Sequence, residues 1–525
     1  MGTLNRDRHR KKLQEVLARA DDELFFQMVW SIDAMQSERT EVASNYLRFP
    51  HEAANSDITS KYAIHKWELE TLIGLLLTTP KYKLHDGLNS LTNCSHFDAA
   101  AKAVNCLRKL ENAEAGIYLK HTGILTEMHR IAHRQFPWQD TSLNVAQFYR
   151  YAYIYGQGEC ADYFERTYGL TINAFSLIGF ILHCVFQKQP FLNRHFSMED
   201  VGITHKEFEA AFKLLTKPIV EARKEARSLA QDTRAKPGAQ LPVGYQPSFL
   251  RRFPLVSFGD AGEKLRAPMP ALIIQRVTSG VYYDLANGNS RLRNEASDRF
   301  EEYSAELFAA MMRRFNVSRS YSYKFRRNLV DTPDILITDD KRLVLAVECK
   351  AKKLTIDAQF AGDPFAEAKA GYDEIVKAVF QLWRYFSHVR RGLAHRDPIH
   401  PGACGLVLTL DRWLMMSREL QDQVLSGAAI LADNDGGIIA EDRRTVAFCA
   451  IVHLENTLAM SDEDSFLDTI AVTGEDRFRG WLLPDIRRKM KGDLAERKPF
   501  PFHLEDVLPW GKRLSALETE RQNNF

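Results

Sequence analysis

The sequence predicts an α/β protein in which an all-helical N-terminal region precedes a domain with a mixed central sheet flanked by helices. Two observations carry this prediction. Residues 1–230 consist of long amphipathic stretches whose apolar residues recur at helical spacing. Beyond residue 250, short β-branched or leucine-rich runs alternate with helical patterns, as expected of strands and helices that layer on one sheet.

The N-terminal region contains no catalytic constellation. Four amphipathic helices are predicted in it, and the apolar segment 172–186 is expected to be a buried helix because it is too short to span a bilayer. This region is a candidate for binding DNA, a second subunit of a homodimer or a regulatory partner protein. The helical pattern favours none of these three roles over the others. The four predicted helices are Arg8–Met35, Lys61–Thr78, Phe97–Leu119 and Lys206–Leu229.

Composition also predicts where the chain divides. Residues 231–250 are rich in Pro and Gly and have no periodic apolar pattern, which is typical of a linker. The sequence therefore predicts a helical domain over 1–230, a linker over 231–250, a second domain over 251–475 and a C-terminal tail over 476–525. Trp481, Leu482 and Trp510 are candidates for docking this tail back onto the main body.

The elements of the second domain follow from local patterns. Apolar runs bounded by turn residues predict strands, and an apolar stripe at helical spacing predicts one long helix with Ser297 as its N-cap and Glu301 at the edge of the stripe. The predicted strands are 253–258, 271–283, 335–338, 343–347, 404–410 and 445–454, and the predicted helix is Ser297–Phe315.

The strands 335–338 and 343–347 flank a polar turn and predict an antiparallel hairpin that begins after Asp334 and ends in Glu348-Cys349-Lys350. With a loop over 339–341, Asp334 lies opposite Ala346 and diagonal to Glu348, close enough for both carboxylates to reach one ion. Strand alternation puts four residues on one face: Val344, Ala346, Glu348 and Lys350.

These residue types suit metal-assisted phosphodiester chemistry. Magnesium prefers oxygen ligands, keeps several waters and takes one or two carboxylates plus substrate phosphate, so Asp334 and Glu348 form a sufficient protein ligand set. Manganese is an expected substitute. Lys350 is placed to steady the attacking water or the negative charge that develops on the phosphorus centre.

The motif pair Pro333-Asp334 and Glu348-Cys349-Lys350 resembles the signature of the PD-(D/E)XK nuclease superfamily, and the resemblance covers residues of about 250 to 470. It implies a restriction-endonuclease-like domain and a magnesium-dependent endonuclease, with DNA favoured over RNA and a role in microbial defence or mobile-element DNA processing. It further implies an acidic residue on a preceding helix that completes the metal site by supporting the ion or its water, for which we choose Glu301, and a glutamine on the following helix, for which Gln381 is the candidate.

Other interpretations stay open. A Glu-x-Lys occurs again at Glu367-Ala368-Lys369, in a stretch of helical character where residues two apart point to nearly opposite sides. The copy at Glu348 differs in its strand context and its partner acid upstream, which favours a site, and the alternative is an ordinary hairpin with a solvated charged end. The main alternative function is a non-catalytic nucleic-acid-binding or scaffold protein that retains a nuclease-like fold, and a further one makes the helical region the functional centre, with the nuclease active only when released.

Net charge and cysteine content exclude several classes of protein. The formal net charge of +2 excludes a general polycation, so nucleic-acid binding must come from local patches. The seven cysteines are scattered without Cys-x-x-Cys spacing, which predicts reduced thiols, no zinc site and a core position for Cys349. No secretion signal precedes the first helix, so a cytoplasmic protein is expected. The candidate nucleic-acid-binding cations are Arg313, Arg314, Arg319, Lys324, Arg326, Arg327, Lys352 and Lys353.

Overall fold

The computed structural model describes residues 2–81, 91–118, 124–139, 143–235, 241–286, 288–394, 398–414, 417–492 and 496–512. The protein is mixed α/β with a helical N-terminal region, which confirms the predicted class at that level. The N-terminal region is not all helical, because two three-residue strands interrupt it.

The N-terminal helices are shorter than the amphipathic patterns suggested. The Asp21 side chain accepts a hydrogen bond from the Leu24 backbone N–H, so a second helix begins there and the predicted helix Arg8–Met35 is two helices. The predicted helix Lys206–Leu229 is likewise divided, by the strand Thr216–Pro218. The elements are α1 (Gly2–Ala18), α2 (Asp22–Met35), α3 (Thr40–Ser44), α4 (Lys66–Thr78), α5 (Phe97–Tyr118), α6 (Ile124–Gln135), α7 (Val145–Tyr155), α8 (Gly158–Tyr168), α9 (Ile172–Lys188), β1 (Phe191–Asn193), α10 (His205–Leu215), β2 (Thr216–Pro218) and α11 (Ile219–Ala235).

A small sheet joins this region to the chain beyond residue 250. Its strand order is β1-β4-β3-β2, with β3 at Leu255–Phe258 and β4 at Lys264–Arg266. Strand β3 confirms the predicted strand at 253–258. The strand predicted at 271–283 is wrong: the segment forms two helices, α12 (Ala271–Val277) and α13 (Val281–Leu285). The buried residues of α12 fit a helix as well as a strand, and a short apolar run cannot separate the two.

The central sheet has five strands in the order β11-β10-β9-β8-β5. Strands β9, β10 and β11 are mutually parallel. Strand β8 pairs antiparallel with β9 on one side and with β5 on the other, so the sheet is mixed as predicted. The two strands of the separate hairpin β6–β7 lie between β5 and β8 in the chain. The strands are β5 (Asn316–Arg319), β6 (Ser322–Phe325), β7 (Asn328–Asp331), β8 (Ile335–Asp339), β9 (Arg342–Lys350), β10 (Ile399–Thr409) and β11 (Val446–Ala450).

Helices cover both faces of this sheet. The long helix α14 starts seven residues earlier than predicted, because Asn289 and not Ser297 is its N-cap. The predicted strand 445–454 ends at Ala450, where a helix begins. The remaining helices are α14 (Ser290–Met311), α15 (Ile356–Phe360), α16 (Pro364–Glu367), α17 (Lys369–Arg390), α18 (Arg418–Asp435), α19 (Ile451–Ala459), α20 (Glu463–Ala471) and α21 (Leu483–Lys491).

The cores do not divide at the predicted linker. One core packs α7, α8 and α9 together with α14 against one face of the central sheet, so the helical region and the sheet share it. A second core joins α1, α2, α4 and α5 to β3 and α12, and a third lies between the other sheet face and α17 and α18. Within the predicted linker, Val243, Tyr245, Phe249 and Leu250 are buried, and residues 236–240 lie outside the described residues.

The C-terminal segment docks at Trp510. This side chain is buried, stacks on Phe180 and donates its indole N–H to the Ser176 hydroxyl at 2.9 Å. Trp481 is 43% exposed; it contacts Phe478 edge-on and borders a cavity with Val407 and Cys449 of the central sheet. Among the described residues no single helix has the length and apolar character to cross a membrane, although the bent pair α8 and α9 meets both criteria together.

Candidate functional site

The hairpin β8–β9 is tighter than predicted. Its turn is the two-residue loop Asp340-Lys341, and both residues have positive φ (46° and 56°), as in the turns that best match strand twist. Thr338 pairs with Leu343 and Ile337 pairs with Leu345, so Val344 forms a bulge and joins the opposite face from Ala346.

The bulge and the shorter turn shift the register by two residues. Ala346 pairs with Leu336, not with Asp334 as predicted, and Ile335 pairs with Val347. One step further along the strands, Asp334 lies beside Glu348. The Asp334 Oδ2 accepts a hydrogen bond from the Cys349 backbone N–H at 2.7 Å, which fixes this carboxylate at the end of β9. The two predicted ligands are therefore closer neighbours than the sequence indicated.

Glu348 and Lys350 share one face, as predicted from strand alternation. The Lys350 Nζ lies 2.9 Å from Glu348 Oε2. Glu348 is 3% exposed, whereas the Lys350 side chain keeps 22% of its surface in contact with solvent. The ammonium group can therefore contact both the buried carboxylate and a molecule that approaches from outside.

Glu301 approaches this group from α14. The predicted apolar stripe of that helix is buried, and Glu301 lies half-buried at its edge. Its carboxylate is 3.6 Å from the Arg319 guanidinium of β5. Arg319, which we predicted as a nucleic-acid contact, also pairs with Asp298 at 2.6 Å, so two acidic residues of α14 hold it.

Burial and mutual repulsion perturb all three acids. Burial, together with the charges of Asp334 and Glu301, raises the pKa of Glu348 to about 7 against the opposing effect of Lys350. Burial and the charge of Asp334 likewise raise the pKa of Glu301 to about 7. Burial also raises the pKa of Asp334, although Lys350 and the Cys349 N–H act in the opposite direction. Burial lowers the pKa of Lys350, but Glu348 and Asp334 outweigh it and the net shift is upward.

The donor set fits a hard cation. Asp334, Glu348 and Glu301 interact through their charges, and their pKa values are raised chiefly by burial, with Lys350 and Arg319 opposing the shift. Oxygen ligands of this kind suit Mg²⁺ or Mn²⁺. Within the described ranges, no group of three or more His, Cys, Asp or Glu side chains is arranged to hold a metal by itself. A metal here would therefore need water or a substrate oxygen to complete its shell, as magnesium usually does.

Gln381 lies half-buried on α17. Glu374 and His388 stand seven residues before and after it, so the three share one side of the helix. Glu374 pairs with Lys352 beyond the end of β9, and His388 contacts the hairpin β6–β7 through Tyr323. Gln381 therefore sits between these two contacts, although no hydrogen bond joins it to the carboxylates in the described part of the chain.

The predicted cations have different environments. Arg314 pairs with Asp339 and Asp464, and Lys352 pairs with Glu374. Lys353 is only 8% exposed, so it does not extend the cationic surface as predicted. Arg313 is exposed, and three further exposed cations cluster on the hairpin β6–β7: Lys324, Arg326 and Arg327.

Several residues that the sequence did not assign to the site have the structural positions predicted for them. Cys349 is buried on the opposite face from Glu348, and all seven cysteines are free thiols. The second Glu-x-Lys lies where α16 meets α17, and there Lys369 pairs with Asp373 at 3.0 Å on the surface. Tyr321 and Tyr323 pack partly against the core of α17, in agreement with the expected packing role of the aromatic residues.

Comparison of the chain with family models, with curated proteins and with solved structures finds no match in any of the three.

Proposed function

We propose that this protein is a magnesium-dependent nuclease of restriction-endonuclease-like architecture, with DNA as its substrate. The observation that carries the proposal is the meeting of Asp334, Glu348 and Lys350 at the ends of two adjacent strands, with Glu301 added from a packed helix. Buried acids with perturbed pKa values beside a solvent-accessible lysine are typical of catalytic sites.

Asp334 and Glu348 would hold the metal ion. When bound, the ion polarises a phosphoryl oxygen and lowers the pKa of a coordinated water. The chain's own residues supply the rest. The Lys350 ammonium, anchored 2.9 Å from Glu348, can donate a hydrogen bond to a non-bridging phosphate oxygen and offset the charge that builds there. Glu301, whose pKa is about 7, is suited to accept a proton from the attacking water near neutral pH.

The local architecture supports these roles. Each of the two strand-borne acids is fixed by a neighbour: Asp334 by the Cys349 N–H and Glu348 by Lys350. The exposed cations of the β6–β7 hairpin lie seven to ten positions before Asp334 in the chain. Such cations can bind the phosphates of a nucleic-acid backbone.

Cleavage assays with purified full-length protein test the proposal. Supercoiled plasmid, linear duplex DNA, single-stranded DNA and RNA are incubated with Mg²⁺ or Mn²⁺, using the wild type and the variants Asp334→Asn and Lys350→Met. We expect metal-dependent cleavage of DNA that falls about a hundredfold or more in both variants. The matched control is Lys369→Met, the same exchange in the second Glu-x-Lys, which leaves cleavage unchanged.

Cleavage that is equal in all variants would assign the activity to another source. If no substrate is cut and Mg²⁺ does not stabilise the folded wild type, the protein belongs with the alternative class, a non-catalytic nucleic-acid-binding or scaffold protein. Duplex DNA binding without turnover would then be the property to measure.

A further inference from the structure

A cavity of about 280 Å³ lies between the central sheet and the N-terminal helices. Residues that follow the three parallel strands line it: Lys353 after β9, Asp411 after β10 and Val452 after β11. Helices α4 and α7 supply the opposite wall. Crevices at the carboxyl ends of parallel strands are where ligands bind in open α/β sheets, and this volume approaches the roughly 300 Å³ of the smallest ligand sites.

The lining of this cavity is strongly cationic. Two acidic side chains line it, and one of them, Glu70, is already paired with Arg251 at 2.7 Å. The other is Asp411. Six cationic side chains line it: Lys66, Arg134, Arg150, Arg251, Lys353 and Arg412. Four of these six are paired with carboxylates, Lys66 with Asp33, Arg134 with Glu111, Arg150 with Glu455 and Arg251 with Glu70, so Lys353 is the cation whose charge is most available to an anion in this enclosed space.

Lys353 is the most unusual member of this set. It is 8% exposed, and its ammonium donates to the Ser279 carbonyl at 2.9 Å. The rings of Tyr151 and Tyr283 lie 5.1 and 5.8 Å from its Nζ, but no carboxylate of the described residues lies within 4 Å. Burial lowers the pKa of Lys353, but Tyr151, Asp411 and Tyr283 outweigh it and the net shift is upward, so this ammonium stays charged in the cavity wall. Because no carboxylate of the described residues pairs with it directly, an anionic ligand can do so.

Buried polar atoms without a hydrogen-bond partner around this cavity provide independent evidence for a ligand. The Arg150 Nε and the His133 Nε2 are buried atoms without a hydrogen-bond partner, and both residues line the cavity. Their side chains belong to residues that are 4% and 5% exposed. Buried polar groups of native proteins are nearly always satisfied, so two unsatisfied atoms around one cavity point to a missing hydrogen-bond partner, which for the Arg150 Nε–H must be an acceptor.

Aromatic side chains complete the lining. Trp67, Tyr151, Tyr283 and Phe360 border the same space, and flat rings of this kind stack on heteroaromatic ligands. We propose that the cavity binds a small phosphorylated heteroaromatic molecule of nucleotide size, with its phosphate near Lys353 and its ring against the aromatic wall.

This cavity is separate from the proposed nuclease site, because none of Asp334, Glu348, Lys350 and Glu301 lines it. The proposal does not depend on nuclease activity. Its test is therefore performed without metal and without nucleic acid, so that failure of one proposal leaves the other standing.

Calorimetric titration of the full-length protein tests it directly. The probes are the mono- and diphosphates of adenosine, guanosine, cytidine and uridine, the four free nucleosides and inorganic phosphate. We expect at least one nucleotide to bind about tenfold or more tightly than its nucleoside and than phosphate. Lys353→Met removes the charge with little change in volume and should weaken that binding about tenfold or more. The matched control is Lys352→Met, because Lys352 is exposed and pairs with Glu374 outside the cavity, and it should bind as the wild type does.

A second variant protects the test against loss of folding. Tyr283 is 49% exposed, so Tyr283→Leu should fold, keep its affinity for phosphate and lose affinity for the nucleotide. The proposal is overturned if no probe binds the wild type, if phosphate alone binds as tightly as every nucleotide, or if folded Lys353→Met retains full affinity.

Discussion

The backbone N–H of Cys349 donates to the Asp334 carboxylate at 2.7 Å, so the peptide that links Glu348 to the next residue also positions the acid of the neighbouring strand. The two strand-borne acids are thereby coupled through one peptide unit. A movement of either strand end would disturb both.

This coupling leads to a first prediction about the metal. Asp334→Asn keeps an oxygen that can accept the Cys349 N–H but removes the negative charge, so we expect a folded variant that magnesium no longer stabilises. Thermal unfolding with and without Mg²⁺ measures this, since a ligand that binds only the folded state raises Tm. Asp373→Asn, in the surface pair with Lys369, is the control and should retain the wild-type shift. An equal shift in Asp334→Asn would remove this carboxylate from the metal site.

A second prediction concerns pH and the same shift. Glu348 must be deprotonated to hold the ion, and deprotonated Glu301 attracts the ion from beside the site; burial raises the pKa of each to about 7. The Mg²⁺-induced rise in Tm of the wild type should therefore grow as pH increases from 6 to 8. A rise that is independent of pH over this interval would show that neither acid competes with protons for the ion.

A third prediction follows from the sign of the Glu348 shift. Because its pKa is raised from 4.5 to about 7 on folding, the folded state binds more protons than the unfolded state between these pH values. The contribution of Glu348 to the free energy of unfolding therefore falls across this window, by at most about 3 kcal/mol. Glu348→Gln does not titrate, so relative to the wild type it should gain stability between pH 5 and pH 8 in metal-free denaturant unfolding. Glu367→Gln, on an exposed residue, should show no such gain.

The contact between the helical region and the sheet gives a fourth prediction. Arg150 of α7 pairs with Glu455 of α19, and Glu455 also accepts the Tyr303 hydroxyl at 2.6 Å, with all three residues buried. Removing one partner of a buried pair leaves an uncompensated charge and costs about 3 to 5 kcal/mol. Glu455→Gln should lower the free energy of unfolding by about this amount. Asp373→Asn should cost at most about 1 kcal/mol, because its pair with Lys369 is on the surface.

A fifth prediction addresses the hairpin β6–β7. Arg326 and Arg327 form its turn and are exposed, and Leu329 beside them is 72% exposed. If these arginines contact phosphates, Arg326→Ala/Arg327→Ala should weaken binding to every DNA sequence and reduce the slope of log affinity against log salt by about 1.8. Arg477→Ala, at an exposed position paired with Glu475, should leave the slope unchanged. An unchanged slope in the double variant would place the DNA elsewhere.

The sequence predicted the candidate site because its signals are local. Alternation along 343–350 and a polar turn place Glu348 and Lys350 on one face whatever surrounds them. The register was wrong by two residues, since the bulge at Val344 depends on the partner strands and leaves no mark in the pattern. The shared core was not foreseen for a similar reason: residues 148–186 pack into the core of a sheet that begins more than a hundred positions later, and no local pattern records that contact.

The binding cavity was missed altogether. Its lining residues come from widely separated segments, and single residues such as Arg150 or Lys353 have no sequence context that distinguishes them from surface cations. Such a site becomes visible only when burial and unsatisfied donors are known.

The shared core of α7, α8, α9 and α14 also limits how this protein can be divided in the laboratory or by recombination. A fragment starting near residue 250 would keep α14 but expose the flank that α7 covers, including Tyr303 and Phe300. Such a fragment should aggregate, so a gene fusion that transplants residues 251–475 alone would carry the acids on a helix whose buried flank is exposed to water.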